Sequence, residues 1–216
     1  NAVKVPLFPL ETVLFPGGYL PLQIFEVRYL DMMQRCQRDG TPFGVVCLSQ
    51  GREVQQRDPG SEGGGFAREA FHPIGTLAQI VDFKQPRSGL LLIACRGGQR
   101  FRILSSEKLK HGLWNAEVEL LAPDQATAIP EELRGISRAL RQLHEQLQAQ
   151  QPDSIPPSPA DEAGGELWQD AGWVANRWAE LLPLPPASRQ GLLALDSPLL
   201  RLELVGDALE QLGIAY

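Results

Sequence analysis

Residues 6–33 read PLFPLETVLFPGGYLPLQIFEVRYLDMM, and this stretch decides the fold. Its first part holds short apolar runs that are broken by prolines and by Gly17-Gly18. Because proline lacks a backbone donor, such runs are typical of edge strands and tight corners rather than of a long central strand. A helical pattern then begins near Phe25 and ends at Asp39-Gly40. Its predicted apolar stripe consists of Val27, Leu30, Met33 and Cys36.

The chain up to residue 122 predicts many short strands with turns between them. Apolar or alternating runs lie at residues 43–48, 74–83, 90–95, 100–103 and 113–121. Gly97-Gly98 is expected to break the strand pattern between two of these runs. Residues 49–70 are rich in glycine and charge and predict a long loop, which is either a binding lid or a disordered insertion. Close turn signals favour a small β-barrel or sandwich.

Beyond Pro123 the pattern becomes helical. Helices are predicted from Glu131, from about Glu166, from Pro185-Pro186 and from Ser197-Pro198, with a linker over residues 152–165. These stripes indicate a small helical bundle. We therefore predict an α+β chain with two parts, a β-barrel over residues 1–122 and a helical bundle over residues 123–216.

Charge and cysteine content limit which functions and which cell compartments fit this sequence. The 216 residues carry 20 Lys+Arg and 26 Asp+Glu. Residues 1–122 have a net charge of +2 and residues 123–216 a net charge of −8, so the helical part is a poor partner for nucleic acid. Cys36, Cys47 and Cys95 lack metal-type spacing and predict buried thiols in a reducing compartment. No long apolar run or signal peptide is evident, which favours the cytoplasm and no membrane.

Several short motifs are spread along nearly the whole chain. They are Pro6-Leu7, Phe15-Pro16-Gly17, Pro21-Leu22, Phe25-Glu26-Val27-Arg28-Tyr29, residues 74–80 and residues 98–103, with weaker ones at residues 181–184 and 189–193. Together these motifs resemble the N-terminal, substrate-binding domain of Lon proteases. The resemblance implies a PUA-like β-pseudobarrel followed by a small helical bundle. In that family the domain is implied to recognise unfolded or tagged polypeptides.

The residues that Lon needs for catalysis are not found in this sequence. Its ATP-binding loop ends in Gly-Lys-Ser/Thr, and no lysine here follows a glycine. No region corresponds to the serine–lysine peptidase domain. His72, His111 and His144 stand apart from other ligand-type residues. We therefore expect a stand-alone binding module that is not an enzyme and has no catalytic residues, metal or cofactor.

The predicted partner is an unfolded or tagged polypeptide, or one dedicated protein. Arg100 and Arg102 could meet an acidic peptide, nucleic acid or the acidic helical part of the chain itself. Glu26 and Arg28 could line a groove, although local capping or pairing is the more frequent role at a helix start. The predicted partner contacts are Phe66, Phe71, Arg100, Arg102 and Trp114.

Two other functions stay open at the level of sequence. PUA-like barrels in other families bind RNA, but the acidic balance and the lack of a dense basic stripe with aromatic residues disfavour this alternative. An enzyme that uses a metal or a small molecule lacks any cluster of residues to carry its chemistry.

Overall fold

The computed structural model describes residues 1–54, 68–153 and 164–216. The middle of the predicted loop and of the predicted linker lie outside these residues. By its contacts the chain forms two compact units. The barrel unit is Asn1–Pro123 with Pro185–Leu193, and the helical unit is Asp124–Leu184 with Ala194–Tyr216. The division at residues 122 and 123 stays a prediction for the domain boundary.

Strand pairing in the barrel unit makes a closed circuit. The strands are β1 Ala2–Leu10, β2 Tyr19–Ile24, β3 Phe43–Gln50, β4 Ala70–Phe71, β5 Ile74–Arg87, β6 Leu90–Lys108 and β7 Trp114–Leu120. From β1 the neighbours run through β7, β6, β5 and β3, and β3 returns to β1 as its parallel partner. Within the described residues, β2 pairs with β6 alone and the short β4 pairs with β3.

Gly97-Gly98 does not interrupt the strand, contrary to our expectation. The chain continues through both glycines as the single strand β6. Glycine is needed at position 97 for close packing rather than for a turn, because a Cβ atom there would collide with the carbonyl oxygen of Phe15. The Gly97 carbonyl accepts a hydrogen bond from the amide of Gly17 at 2.8 Å. Because Gly97 has no side chain, the corner Phe15-Pro16-Gly17 can pack directly against the face of β6.

The first helix, α1, spans Val27–Asp39 and ends at Gly40, whose φ of 66° is left-handed. These bounds agree with the sequence, but the predicted stripe is wrong at its start. Val27 is 84% exposed. The buried face begins at Arg28 instead of Val27, because the Arg28 side chain enters a buried ion-pair cluster. The buried face is Arg28, Tyr29, Met32, Met33 and Cys36.

The other helices confirm the predicted α+β class, with a barrel followed by helical segments. These helices are α2 Arg134–Gln150, α3 Ala171–Leu181, α4 Pro186–Ala194 and α5 Pro198–Gln211. Short 3-10 turns precede α2 and α3 at Glu131–Leu133 and Glu166–Gln169. Asp170 caps α3, and its carboxylate accepts a hydrogen bond from the Trp173 amide at 3.0 Å. Ser197 caps α5 through the Leu200 amide at 3.1 Å, as its position before Pro198 predicts.

The core of the barrel unit has two apolar clusters. One joins the buried face of α1 to β1, β3, β5 and β6, and the other gathers residues of β1, β3, β6 and β7 around Phe101. The three cysteines are buried and free, as predicted. None of the helices that the structure describes could cross a membrane.

Candidate functional site

A groove with a volume of about 290 Å³ opens on the barrel unit, where β2 leads into α1. Its lining comes from the end of β1, from β2, from the start of α1 and from residues 53 and 54. Apolar side chains make up most of it, and they include Phe8, Leu10, Leu22, Ile24, Phe25 and Val54.

Phe25 and Val54 expose apolar surface at this groove. Phe25 is 56% exposed and Val54 is 47% exposed. The alternation of β2 explains Phe25, since Ile24 before it is buried and the next side chain points outward. An exposed aromatic ring beside an apolar groove is typical of a binding surface rather than of a satisfied core.

A buried ion-pair cluster of Glu26, Arg28, Glu69 and Lys108 lies beside the groove. The side chains of Arg28 and Glu69 are each only 3% exposed. The Arg28 guanidinium donates to both carboxylate oxygens of Glu69, at 3.2 Å each. Its Nε donates to Glu26 at 2.8 Å.

Arg28 also reaches two backbone carbonyls. Its Nη1 donates to Gly112 at 3.2 Å and its Nη2 donates to Glu53 at 3.3 Å. These five hydrogen bonds therefore use the five N–H donors of the guanidinium. Because Glu26 and Glu53 both line the groove, this single side chain fixes two parts of its wall.

Glu69 is held in its charged form by the cluster. Burial alone would raise the pKa of its carboxyl, but hydrogen bonds from Arg28 and Lys108 outweigh this effect and leave the pKa below its ordinary value. Lys108 Nζ lies 3.1 Å from Oε1 of Glu69. The Trp114 indole donates to the same oxygen at 3.4 Å.

Tyr29 lies at the groove and is almost wholly buried, with 3% of the residue exposed. Its ring packs edge-on against Phe8 at 4.5 Å, and the Arg28 guanidinium sits over it at 4.6 Å. Its hydroxyl is buried and has no hydrogen-bond partner among the described residues. Burial raises the pKa of this hydroxyl, which therefore keeps its proton. A buried hydroxyl without a partner costs about 1–3 kcal/mol.

The structure brings two of the predicted contact residues together. Phe71 and Trp114 form an edge-to-face pair with ring centroids 5.1 Å apart, and both are half-buried. Phe66 lies outside the described residues. None of the predicted contacts that the structure describes lines the groove.

The two arginines of β6 differ in their surroundings. Arg100 is buried and donates to the carbonyl of Leu193 at 2.8 Å, so it ties β6 to the end of α4 within the barrel unit. Arg102 is exposed. That these residues contact a partner stays a prediction.

Sequence reasoning missed Phe25, Tyr29, Glu53 and Val54 as groove residues. The signal for the first two was present, since they begin and end the block Phe25-Glu26-Val27-Arg28-Tyr29. The signal for Glu53 and Val54 was absent, because they enter the site only through folding. Glu26 combines both roles that the sequence left open, since it lines the groove and pairs with Arg28.

Metal-ligand side chains form no cluster in the part of the chain that the structure describes. In residues 1–54, 68–153 and 164–216, no group of three or more His, Cys, Asp and Glu side chains is placed to hold a metal ion.

Known proteins resemble this chain along most of its length. A family model described as "ATP-dependent protease La (LON) substrate-binding domain" matches residues 4–211. The Lon protease of Paraburkholderia phytofirmans is 31% identical over 206 residues, which cover 92% of this chain and 23% of that protein. Protein cereblon of Gallus gallus is 26% identical over 190 residues, which cover 84% of this chain and 37% of that protein. The chain spans about a quarter of the length of three of the Lon proteases that it matches.

Solved structures agree with these relatives. The crystal structure of a Lon N-terminal domain protein from Xanthomonas campestris matches with a TM-score of 0.72 and 31% identity, over 95% of this chain and 98% of that one. The N-terminal domain of a Mycobacterium avium complex Lon protease matches with a TM-score of 0.60 at 16% identity, over 96% of this chain and 98% of that one, and supports the fold alone. The resemblance found in the sequence is confirmed, and the chain belongs to the family of the Lon substrate-binding domain.

Proposed function

We propose that this chain is a non-catalytic polypeptide-binding module and that the groove beside β2 holds the polypeptide. The observation that carries the proposal is the exposed Phe25 ring at an apolar groove whose wall is fixed by buried Arg28. Membership of a substrate-binding family supports the same class of ligand.

The edge of β2 offers a second means of attachment. Within the described residues β2 pairs only with β6, and an extended peptide can add itself as a further strand to such an edge. Pro21 removes one backbone donor from the edge, so apolar side-chain contacts have to supply part of the affinity. Phe25 and Val54 provide them.

The rigidity of the wall favours binding. Arg28 holds Glu26 and the backbone at Glu53 before any ligand arrives, so less side-chain entropy is lost on binding. A module of this kind would serve as an adaptor or a holdase in the cytoplasm, and it would present or protect unfolded chains without altering them.

The test is fluorescence anisotropy with a labelled, permanently unfolded polypeptide across a series of salt concentrations. We expect binding that changes little with salt, because apolar contacts dominate it. The Phe25→Ala variant is expected to raise the dissociation constant by about tenfold or more, as truncation of a central aromatic contact does. Because Phe25 is exposed, we expect the variant to stay folded, and circular dichroism checks this.

Leu104→Ala is the matched control. Leu104 is 55% exposed, close to the value for Phe25, but it does not line the groove. This variant should bind as the wild type does. If Phe25→Ala and Leu104→Ala lost affinity equally, the polypeptide would bind exposed apolar surface anywhere on the protein rather than this groove.

A structured RNA, run in parallel, tests the alternative function. Binding to RNA with a steep loss of affinity as salt rises, and no binding to the polypeptide, would replace the proposal. Binding to neither probe would contradict general capture of unfolded chains and would direct the search to one dedicated protein.

A further inference from the structure

We propose that the groove selects an extended apolar segment that carries basic residues beside it, and that the Tyr29 hydroxyl donates a hydrogen bond to a main-chain carbonyl of this segment. The inference rests on the proposed function and adds the chemistry of the ligand.

The charge preference follows from the groups at the groove. Glu26 and Glu53 line it, and no lysine or arginine does. Arg28 lies behind the wall with its N–H donors bonded within the protein, so it has none left for an acidic ligand.

The wider surroundings do not reverse this preference. Near the wall, Arg52 pairs with Glu11 at 3.1 Å, and Lys108 pairs with buried Glu69 at 3.1 Å. The four carboxylates of Glu11, Glu26, Glu53 and Glu69 outnumber the three cations of Arg28, Arg52 and Lys108 by one. The charges that line the groove are therefore acidic, and a basic residue next to the bound apolar segment complements them.

The hydroxyl of Tyr29 supplies the polar contact. It keeps its proton, it is buried beside the groove, and it has no partner among the described residues. A protonated phenol is a good donor, and an extended polypeptide presents a carbonyl acceptor at every residue. The oxygen itself has almost no accessible surface in the free protein, so the Tyr29 ring shifts toward the groove when a segment that lies there takes up this donor.

The experiment uses three labelled peptides with one common apolar core and flanks of lysine, glutamine or glutamate. Affinities are measured by anisotropy for the wild type, Tyr29→Phe and Glu53→Gln. For the wild type we expect the lysine peptide to bind about fivefold more tightly than the glutamate peptide, the effect of one exposed charge contact. The difference should shrink as salt rises. Glu53→Gln should reduce it, and exposed Glu119→Gln on β7 should leave it unchanged.

Tyr29→Phe tests the hydroxyl. It should weaken all three peptides by about fivefold to tenfold, the loss expected for one hydrogen bond to a desolvated donor. The thermal midpoint of the free protein should stay equal or rise, because the substitution removes a buried group without a partner. Tyr216→Phe is the control, since that hydroxyl is exposed and donates to Glu210 at 3.0 Å. It should leave affinity unchanged.

The outcomes separate this inference from the proposed function. Equal affinity for the lysine and glutamate peptides, or full affinity of Tyr29→Phe, overturns the inference while peptide binding itself stands. A lower thermal midpoint of Tyr29→Phe with unchanged affinity overturns it as well, because the hydroxyl then holds an internal water. Failure of all three peptides to bind overturns the inference and the proposed function together.

Discussion

Arg28 and Glu69 lie 41 residues apart in the sequence and form a bidentate ion pair, with each side chain only 3% exposed. Breaking a buried pair leaves an uncompensated charge, whereas an exposed pair contributes little. The pair also ties the start of α1 to Glu69, just before β4, beside the candidate groove. Neither side chain lines the groove, but the pair holds Arg28, whose hydrogen bonds to Glu26 and to the Glu53 carbonyl fix the groove wall.

The first prediction concerns the stability of this pair. Glu69→Gln should lower the free energy of unfolding by about 3 kcal/mol, the lower end for a broken buried pair, because Glu26 still faces Arg28. Urea unfolding measures it. Asp31→Asn on the same helix is the control, since Asp31 and Arg35 form an exposed pair at 3.1 Å, and the expected loss is at most about 0.5 kcal/mol. Similar losses in the two variants would contradict the assignment.

The second prediction is a loss of stability in acid. Glu69 faces Arg28 and Lys108, Glu26 binds the same arginine, and the pKa of Glu69 in the folded protein lies below its ordinary value. The unfolded chain therefore binds a proton first as the pH falls. The stability from Glu69 is complete above its unfolded pKa of about 4.3 and is lost as the pH falls towards the folded value. Urea midpoints measured from neutral pH downward should fall more steeply for the wild type than for Glu69→Gln. Parallel curves would exclude this carboxyl as a source of the acid sensitivity.

Local signals in the sequence predict much of the fold. Asp39-Gly40 marks the end of α1, and Ser197-Pro198 marks the start of α5, because each motif meets a backbone need within a few residues. The alternation of residues 113–121 predicts β7 for the same reason.

Features that depend on distant partners could not be predicted in this way. The need for glycine at position 97 comes from the carbonyl of Phe15, about 80 residues earlier in the chain. The inward turn of Arg28 depends on Glu69, so the predicted stripe of α1 began on the wrong residue. The groove is missed for the same reason, since Val54 reaches it only when the barrel has folded.

The third prediction distinguishes the two arginines of β6. Arg100→Met removes the donor to the Leu193 carbonyl and should lower the free energy of unfolding by about 1–3 kcal/mol. Arg102→Met, at an exposed position, should change it by no more than about 0.5 kcal/mol. Neither residue lines the groove, so both folded variants should bind polypeptide as the wild type does. Weaker binding by Arg102→Met would instead support the contact role that the sequence predicted for it.

The last prediction compares two neighbouring glycines in β6. Gly97→Ala places a methyl group against the Phe15 carbonyl, which belongs to a backbone corner and cannot move aside as a flexible side chain would. It should lower the free energy of unfolding by at least about 2 kcal/mol. Gly98→Ala meets no atom closer than the Leu77 carbonyl oxygen at 3.6 Å and should change stability by no more than about 0.5 kcal/mol.

Thermal and urea unfolding of the two alanine variants make this comparison direct. Both substitutions add the same methyl group to the same strand, so any effect of strand propensity is shared and cancels. A difference between them then reports the close approach of the Phe15 corner to Gly97. If Gly97→Ala were as stable as Gly98→Ala, the corner would have to lie further from β6, and the hydrogen bond between the Gly17 amide and the Gly97 carbonyl could not hold it there.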